Sequence, residues 1–274
     1  MVASLASAAA LGTVLYAVST SLPFLADPAT ADVRFGGANQ CLLHALEGPR
    51  VGFAVSWDGG AVAGFTGQAL AVCSQGKASV VPQPGVQAAS WDAEGTLWLA
   101  LGVPDAGARL AYLADGNAVR SVGDAAPVAL AGHANGVLVL DEAGKLASLR
   151  RNGEALGWAE LPTGPVGAVQ LSVNADGAMA ALVTGGGLMV YRTATLERIR
   201  SEAPCAVEYL WWTERPRQAV LACGPRASFA LSLDVVSGAR EAAPPRTRVR
   251  SLLVPGASVY AGPCEQLPCQ MEAP

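Results

Sequence analysis

This chain is poor in charge, in histidine and in any basic surplus. Only 15% of its 274 residues are Asp, Glu, Lys or Arg, against about 25% in an ordinary soluble domain. There are 18 Lys and Arg against 22 Asp and Glu, a net charge of −4. Proteins that neutralise phosphates carry a basic surplus or a basic stripe. Neither is present, which excludes nucleic acid as a partner. Two explanations fit the low charge. Partner proteins or lipid cover part of the surface, or Ala and Gly replace charges along the chain through biased base composition. The even spread of small residues favours the second.

The usual signatures of chemistry are also missing. A zinc or copper site needs several clustered ligands, yet the two histidines, His44 and His133, stand far apart and no Cys-x2-Cys pair occurs. No Gly-x-Ser-x-Gly elbow is present, and no Gly-x-Gly-x-x-Gly opens a helical pattern. Gly185-Gly186-Gly187 lies between two strand-like runs and reads as a loop. A Ser/His/Asp triad assembled from distant residues stays open. No catalytic, cofactor-binding or metal-ligating residue is assigned, no cofactor is implied, and the chain is not expected to be an enzyme.

Met1 to Ala26 carries no charged side chain. About 20 apolar helical residues cross the hydrocarbon core of a bilayer. Pro23 and then Asp27-Pro28 end the segment. A retained membrane anchor is the leading reading. A signal peptide cleaved after Ala29-Thr30-Ala31 is the second, weakened by the missing positive n-region, and a packed soluble helix is the third. Residues 27–31 then form a linker. With no Lys or Arg before the span and Arg34 after it, loop charge argues weakly against export. The cysteines outweigh that.

Cys41, Cys73, Cys205, Cys223, Cys264 and Cys269 form an even set behind an export-like segment. That pattern suggests disulfides in an oxidising compartment, periplasmic or luminal. Cys205 and Cys223 flank a turn near Glu214-Arg215 and are expected opposite each other across one hairpin, within bridging distance. Cys264 and Cys269 are candidates to bond each other or to reach Cys41, and the alternative for all six is buried free thiols.

What the chain has in abundance is a repeat. Six apolar runs each meet a tight turn and a second apolar run. The turns fall at Asp58-Gly59, Glu94-Gly95, Asn135-Gly136, Asp176-Gly177, Arg215-Pro216 and Pro255-Gly256, so the second turn residues are 36, 41, 41, 39 and 40 apart. Gly, Asn, Asp and Pro supply the dihedrals that hairpin turns need. Ser56-Trp57-Asp58 of the first unit returns as Ser90-Trp91-Asp92 in the second. A further set of turns at Gly76-Lys77, Asp115-Gly116, Asn152-Gly153, Ala194-Thr195 and Ser237-Gly238 gives four strands per unit. The apolar runs are short and nearly continuous, as in strands buried on both faces. The fold class is all-β, a six-bladed β-propeller over residues 32–274 behind an N-terminal transmembrane or signal helix. The sixth unit lacks its second hairpin turn, and Cys41-Leu-Leu-His-Ala-Leu46 is expected to supply the missing outer strand and close the ring with the C-terminal segment.

The pattern resembles the β-propeller superfamily. Unit four, Leu171-Ser-Val-Asn-Ala-Asp-Gly177 with Leu188-Met-Val-Tyr-Arg-Thr-Ala-Thr-Leu-Glu197, is most similar to the YVTN, WD-repeat-like or TolB-like blades of exported bacterial proteins. WD-repeat blades carry a Gly-His and a closing Trp-Asp at set places. Here Gly132-His133 and the two Trp-Asp pairs fall in the first hairpin, so no functional residue is carried over.

Two polar or aromatic features stand out as a partner-binding rim. Arg246, Arg248 and Arg250 share one face by strand alternation and suit an acidic partner; the bland alternative is a rim network with Glu208 or Glu241. Trp211 and Trp212 form either a stacking surface or packing between blades. The expected function is a non-catalytic, exported, membrane-tethered interaction platform or accessory subunit of a membrane complex, with protein partners and membrane attachment through residues 1–26. The alternative is an extracytoplasmic enzyme or small-ligand binder that uses the central channel.

Overall fold

Apolar runs of five or six residues are too short to stand as helices, and their Val, Leu and aromatic side chains pack well on a pleated surface. The computed structural model describes residues 41, 45–46, 50–57, 60–103, 107–114, 118–122, 127–161, 169–174, 176–185, 187–213, 215–224, 229–242, 247–250 and 258–261. Within them the first sheet is β1 (Arg50–Val55), β2 (Ala61–Thr66), β3 (Leu70–Ser74) and β4 (Lys77–Val81). The second is β5 (Val86–Trp91), β6 (Leu97–Val103), β7 (Gly107–Ala114) and β8 (Ala118–Ser121). The third is β9 (Pro127–His133), β10 (Gly136–Asp141), β11 (Lys145–Leu149) and β12 (Ala155–Glu160). The fourth is β13 (Val169–Val173), β14 (Met179–Thr184), β15 (Gly187–Arg192) and β16 (Arg198–Glu202). The fifth is β17 (Val207–Trp212), β18 (Gln218–Cys223), β19 (Phe229–Asp234) and β20 (Arg240–Ala242). All five are antiparallel meanders with their strands in chain order. A two-stranded antiparallel ladder, β21 (Thr247–Arg250) with β22 (Ser258–Ala261), follows.

The first strands lie side by side, β1 with β5, β5 with β9, β9 with β13, β13 with β17 and β17 with β21. The sheets therefore fan outward from those strands and pack face to face. Alternation of side chains divides the core between neighbours. On β10, Val137 and Val139 pack with Trp98, Ala100 and Leu110 of the second sheet. Leu138 and Leu140 of the same strand pack with Ala180, Leu182 and Tyr191 of the fourth. The second strand of a sheet is thus buried on both faces, which explains its unbroken apolar run. The outermost strands are mostly exposed; β20 is exposed at all three residues.

The first sheet's other face is covered differently from the sequence expectation. Cys41 and Ala45 are helical rather than part of an outer strand, and Leu46, 5% exposed, packs with Val62, Ala71 and Cys73. Cys41 is disulfide-bonded to Cys73 on β3, with Cα atoms 6.1 Å apart, not to a C-terminal cysteine. The physical reason is local: Cys41, Ala45 and Leu46 are apolar and pack on the face formed by Val62, Ala71 and Cys73. Segment 1–26, linker 27–31, His44, Arg246, Cys264 and Cys269 lie outside the described residues. Among the described residues no helix is long and apolar enough to cross a membrane.

Candidate functional site

The first hairpin of every four-stranded sheet ends on a buried polar side chain. Ser56, Asp92, His133, Asn174 and Thr213 each stand three residues before the second turn residue, and none is more than 7% exposed. Each accepts a hydrogen bond from a backbone N–H of its own turn. Ser56 Oγ takes that of Ala61 at 2.8 Å, and Asp92 Oδ1 that of Thr96 at 2.7 Å. His133 Nδ1 takes that of Asn135 at 3.3 Å, Asn174 Oδ1 that of Met179 at 2.9 Å, and Thr213 Oγ1 that of Arg215 at 3.1 Å. A tight turn leaves such donors without a ladder partner, and a buried orphan costs about 1–3 kcal/mol. Sequence reading missed this set because the five residues share no identity. Their signal is a hydrogen-bond acceptor at a constant offset from each turn.

Two caps extend into one cluster between the second and third sheets. Asp92 Oδ2 accepts from Trp98 Nε1 at 2.9 Å, and Trp98 packs on Tyr112 with ring centroids 5.7 Å apart. The Arg151 guanidinium lies over that tyrosine ring at 5.8 Å and donates to Thr96 Oγ1. His133 Nε2 lies 3.1 Å from Ser148 Oγ. Burial pushes the His133 pKa down to about 4, with the Asp92 carboxylate opposing the shift.

Ser148, His133 and Asp92 thus bring together the side chains of a catalytic triad, but not its wiring. In nucleophile activation Nε2 takes the serine proton while the carboxylate accepts from Nδ1. Here Nδ1 accepts the Asn135 N–H, so the neutral ring keeps its proton on Nε2 and donates it to Ser148 Oγ. Ser148 is fully buried. The His133–Ser148 bond ties β9 to β11 and leaves the hydroxyl unactivated.

The capped ends also meet across the fan. Trp57, just past β1, donates from Nε1 to the Trp91 carbonyl at 2.8 Å. Its ring packs against the core of the first two sheets and against that of the third and fourth. Gly177, in the fourth sheet's turn with φ of +75°, comes so close that a Cβ there would lie 3.1 Å from the Trp57 ring and 2.9 Å from Ala134. Gly132 is tighter still: its Cβ would sit 2.0 Å from the Trp91 carbonyl oxygen. Its N–H donates to Ser90 Oγ at 2.9 Å. The repeated Ser-Trp-Asp residues therefore join one sheet to the next at this end.

The rim residues singled out in the sequence divide as follows. Arg246 lies outside the described residues. Arg248 and Arg250 sit on β21, paired with Tyr260 and Ser258. Trp212 is only 4% exposed and belongs to the core between the fourth and fifth sheets, which removes it from any partner-binding rim; strand alternation turns the half-buried Trp211 to the opposite face. Cys205 and Cys223 are disulfide-bonded as expected, with Cα atoms 5.7 Å apart. The ladder partner of Cys223 is Val207 rather than Cys205, so the bridge is diagonal, made from just outside β17. The exposed aromatic of the outer strands is one the sequence reading passed over. Trp158 on β12 is 61% exposed, with Lys145 Nζ 5.7 Å from its ring centroid. No group of three or more His, Cys, Asp or Glu among the described residues could hold a metal ion.

No protein-family model matches this chain, and no curated protein does. Among solved structures, a chain in the crystal structure of a mitotic checkpoint complex superposes with a TM-score of 0.55 at 15% identity, over 69% of this chain and 61% of that one. The chain thus spans about three fifths of the length of that match. A KlHsv2 structure with loop 6CD replaced by a Gly-Ser linker covers 70% of this chain and 79% of that one, at 10% identity and a TM-score of 0.40. At such identities a likeness concerns fold alone. Repeated four-stranded antiparallel sheets, fanned from adjacent first strands and matched by the checkpoint-complex chain, give this chain a WD-repeat-like β-propeller fold.

Proposed function

We propose that this chain is a non-catalytic interaction platform: an exported, membrane-tethered propeller of six blades that serves as an accessory subunit of a membrane complex. The observation that carries the reading is the use of the interior polar groups. Ser56, Asp92, His133, Asn174 and Thr213 each close a hairpin, and the Ser148-His133-Asp92 cluster is wired so that its serine accepts from the histidine. Polar chemistry inside the fold is spent on holding blades, which leaves the outer surface for recognition. Propellers present several loop-bearing faces on a rigid frame and suit that role. The Cys41–Cys73 and Cys205–Cys223 disulfides support an oxidising compartment, and the apolar segment 1–26 supports tethering.

The test is purification of the natural chain from detergent-solubilised membranes, with mass spectrometry of what remains bound through two chromatographic steps. The reading expects Met1 or the apolar segment retained and one or more proteins at fixed stoichiometry. A chain that leaves the membrane fraction with a low-salt wash, alone and at monomer mass, overturns it.

A further inference from the structure

The inner strands of the fourth and fifth blades run side by side, and side chains hold them there. Gln170 Nε2 donates to the Leu210 carbonyl at 2.7 Å while its Oε1 accepts the Leu210 N–H at 2.8 Å. Further along, Asn174 Nδ2 donates to the Pro216 carbonyl at 2.7 Å. Gln170 and Asn174 are separated from Leu210 and Pro216 by 40 and 42 positions. Ser172 lies between them on the same face of β13 by alternation, and the offset of 40 carries it to Trp212.

Trp212 faces the same seam. Its ring lies in a core that includes Met179, Ala181 and Val183 of the fourth blade. Its Nε1 and the Ser172 Oγ are both buried, and neither has a protein partner. Three other indoles are satisfied: Trp57 and Trp91 donate to carbonyls and Trp98 to a carboxylate. Two orphaned polar atoms at matching positions on neighbouring strands, bracketed by two satisfied amides, describe a polar niche rather than two separate defects. Buried polar groups left over by the protein are characteristically completed by internal water.

We propose that Ser172 Oγ and Trp212 Nε1 bind one internal water molecule, which accepts from the indole N–H and donates to the serine oxygen. The seam then has three successive polar cross-links: Gln170 to Leu210, Ser172 through water to Trp212, and Asn174 to Pro216. The ligand is a single small neutral molecule able to accept and donate at once. The role is to couple two inner strands that are too far apart for a backbone ladder.

A crystal structure of the full chain at a resolution that shows ordered solvent, combined with thermal unfolding of Ser172→Ala, tests this. Expected are a water within about 3.2 Å of both atoms and an unfolding midpoint lowered by about 2–4 °C in the variant. A crystal in which no water touches both atoms overturns the proposal, including one in which Ser172 and Trp212 bond directly. So does a midpoint that stays or rises in Ser172→Ala, since removing a hydroxyl with no partner relieves a cost rather than losing a bond. Trp212→Phe, followed by crystallography alone, serves as the second variant. Persistence of the same water without the indole donor also counts against the assignment.

Discussion

Acidification should loosen this propeller through His133. The ring is fully buried, accepts from the Asn135 N–H and donates to Ser148. Its pKa falls from 6.5 to about 4 because burial disfavours the imidazolium more than Asp92 favours it. The unfolded chain therefore takes up a proton first as pH drops. Stability is complete above about pH 6.5, declines as pH falls toward 4 and levels off below it. A shift of this size corresponds to about 3 kcal/mol over the whole window, and to about 2 kcal/mol between pH 7.5 and 5. For a domain of this size that is a fall in unfolding midpoint of roughly 4–8 °C. Asp234 does not blur the signal. Hydrogen bonds, chiefly from the Ser237 backbone N–H, hold its carboxyl below the usual 3.8, so its contribution is lost only at still lower pH. The assay is urea unfolding of wild type and His133→Asn at intervals between pH 7.5 and 4.5, alongside NMR titration of the His133 ring. The asparagine variant should start less stable and lose the slope. Equal slopes in the two proteins, or a His133 ring that titrates near 6.5, would refute the reasoning.

The two disulfides close loops of different length, with sequence separations of 32 and 18. Chain entropy assigns roughly 4 kcal/mol to Cys41–Cys73 and roughly 3 kcal/mol to Cys205–Cys223, so Cys41→Ser should cost at least as much as Cys205→Ser in denaturant unfolding. Gly132→Ala should fail to fold at growth temperature or lose several kcal/mol, because the new methyl meets the Trp91 carbonyl and backbone cannot yield as a flexible side chain does; normal expression and an unchanged midpoint would contradict the close approach. Gln170→Glu replaces the donor facing the Leu210 carbonyl with an acceptor, and should cost about 2–4 kcal/mol, most of it recovered at low pH where the acid is protonated. Trp158→Ala should change stability by no more than about 0.5 kcal/mol, since the ring is largely in solvent.

Hairpins were the most legible part of the chain. The turns at Glu94-Gly95, Asn135-Gly136 and Asp176-Gly177 carry their own dihedral demands, and the structure places each between the first two strands of a sheet. The pairing of Cys205 with Cys223 was legible for the same reason, although the irregular register between Val207 and Tyr209 makes the bridge diagonal. The role of Cys41 was not. The strand expected at Cys41–Leu46 came from a topological need for an outer strand, whereas Cys41, Ala45 and Leu46 pack against Val62 and Ala71. The hairpin caps were hidden because Ser, Asp, His, Asn and Thr look unlike until their shared acceptor geometry is seen. Trp212 stood either as a stacking surface or as packing between blades, and it packs between the fourth and fifth sheets. Nothing in its local sequence says which of two adjacent tryptophans turns inward; that depends on strand phase.

The acceptor that closes each first hairpin always stands three residues before the second turn residue, yet the units differ in length. Strands β2 and β3 hold six and five residues, as β10 and β11 do, so the difference lies in connections: residues 82–85 join β4 to β5 where residues 161–168 join β12 to β13. Length thus varies in the other connections, while the acceptor keeps one place in every first hairpin turn. Over evolutionary time those connections are free to lengthen, shorten and change without disturbing how the first hairpins are closed, and it is there that descendants of this sequence can diversify in what they hold.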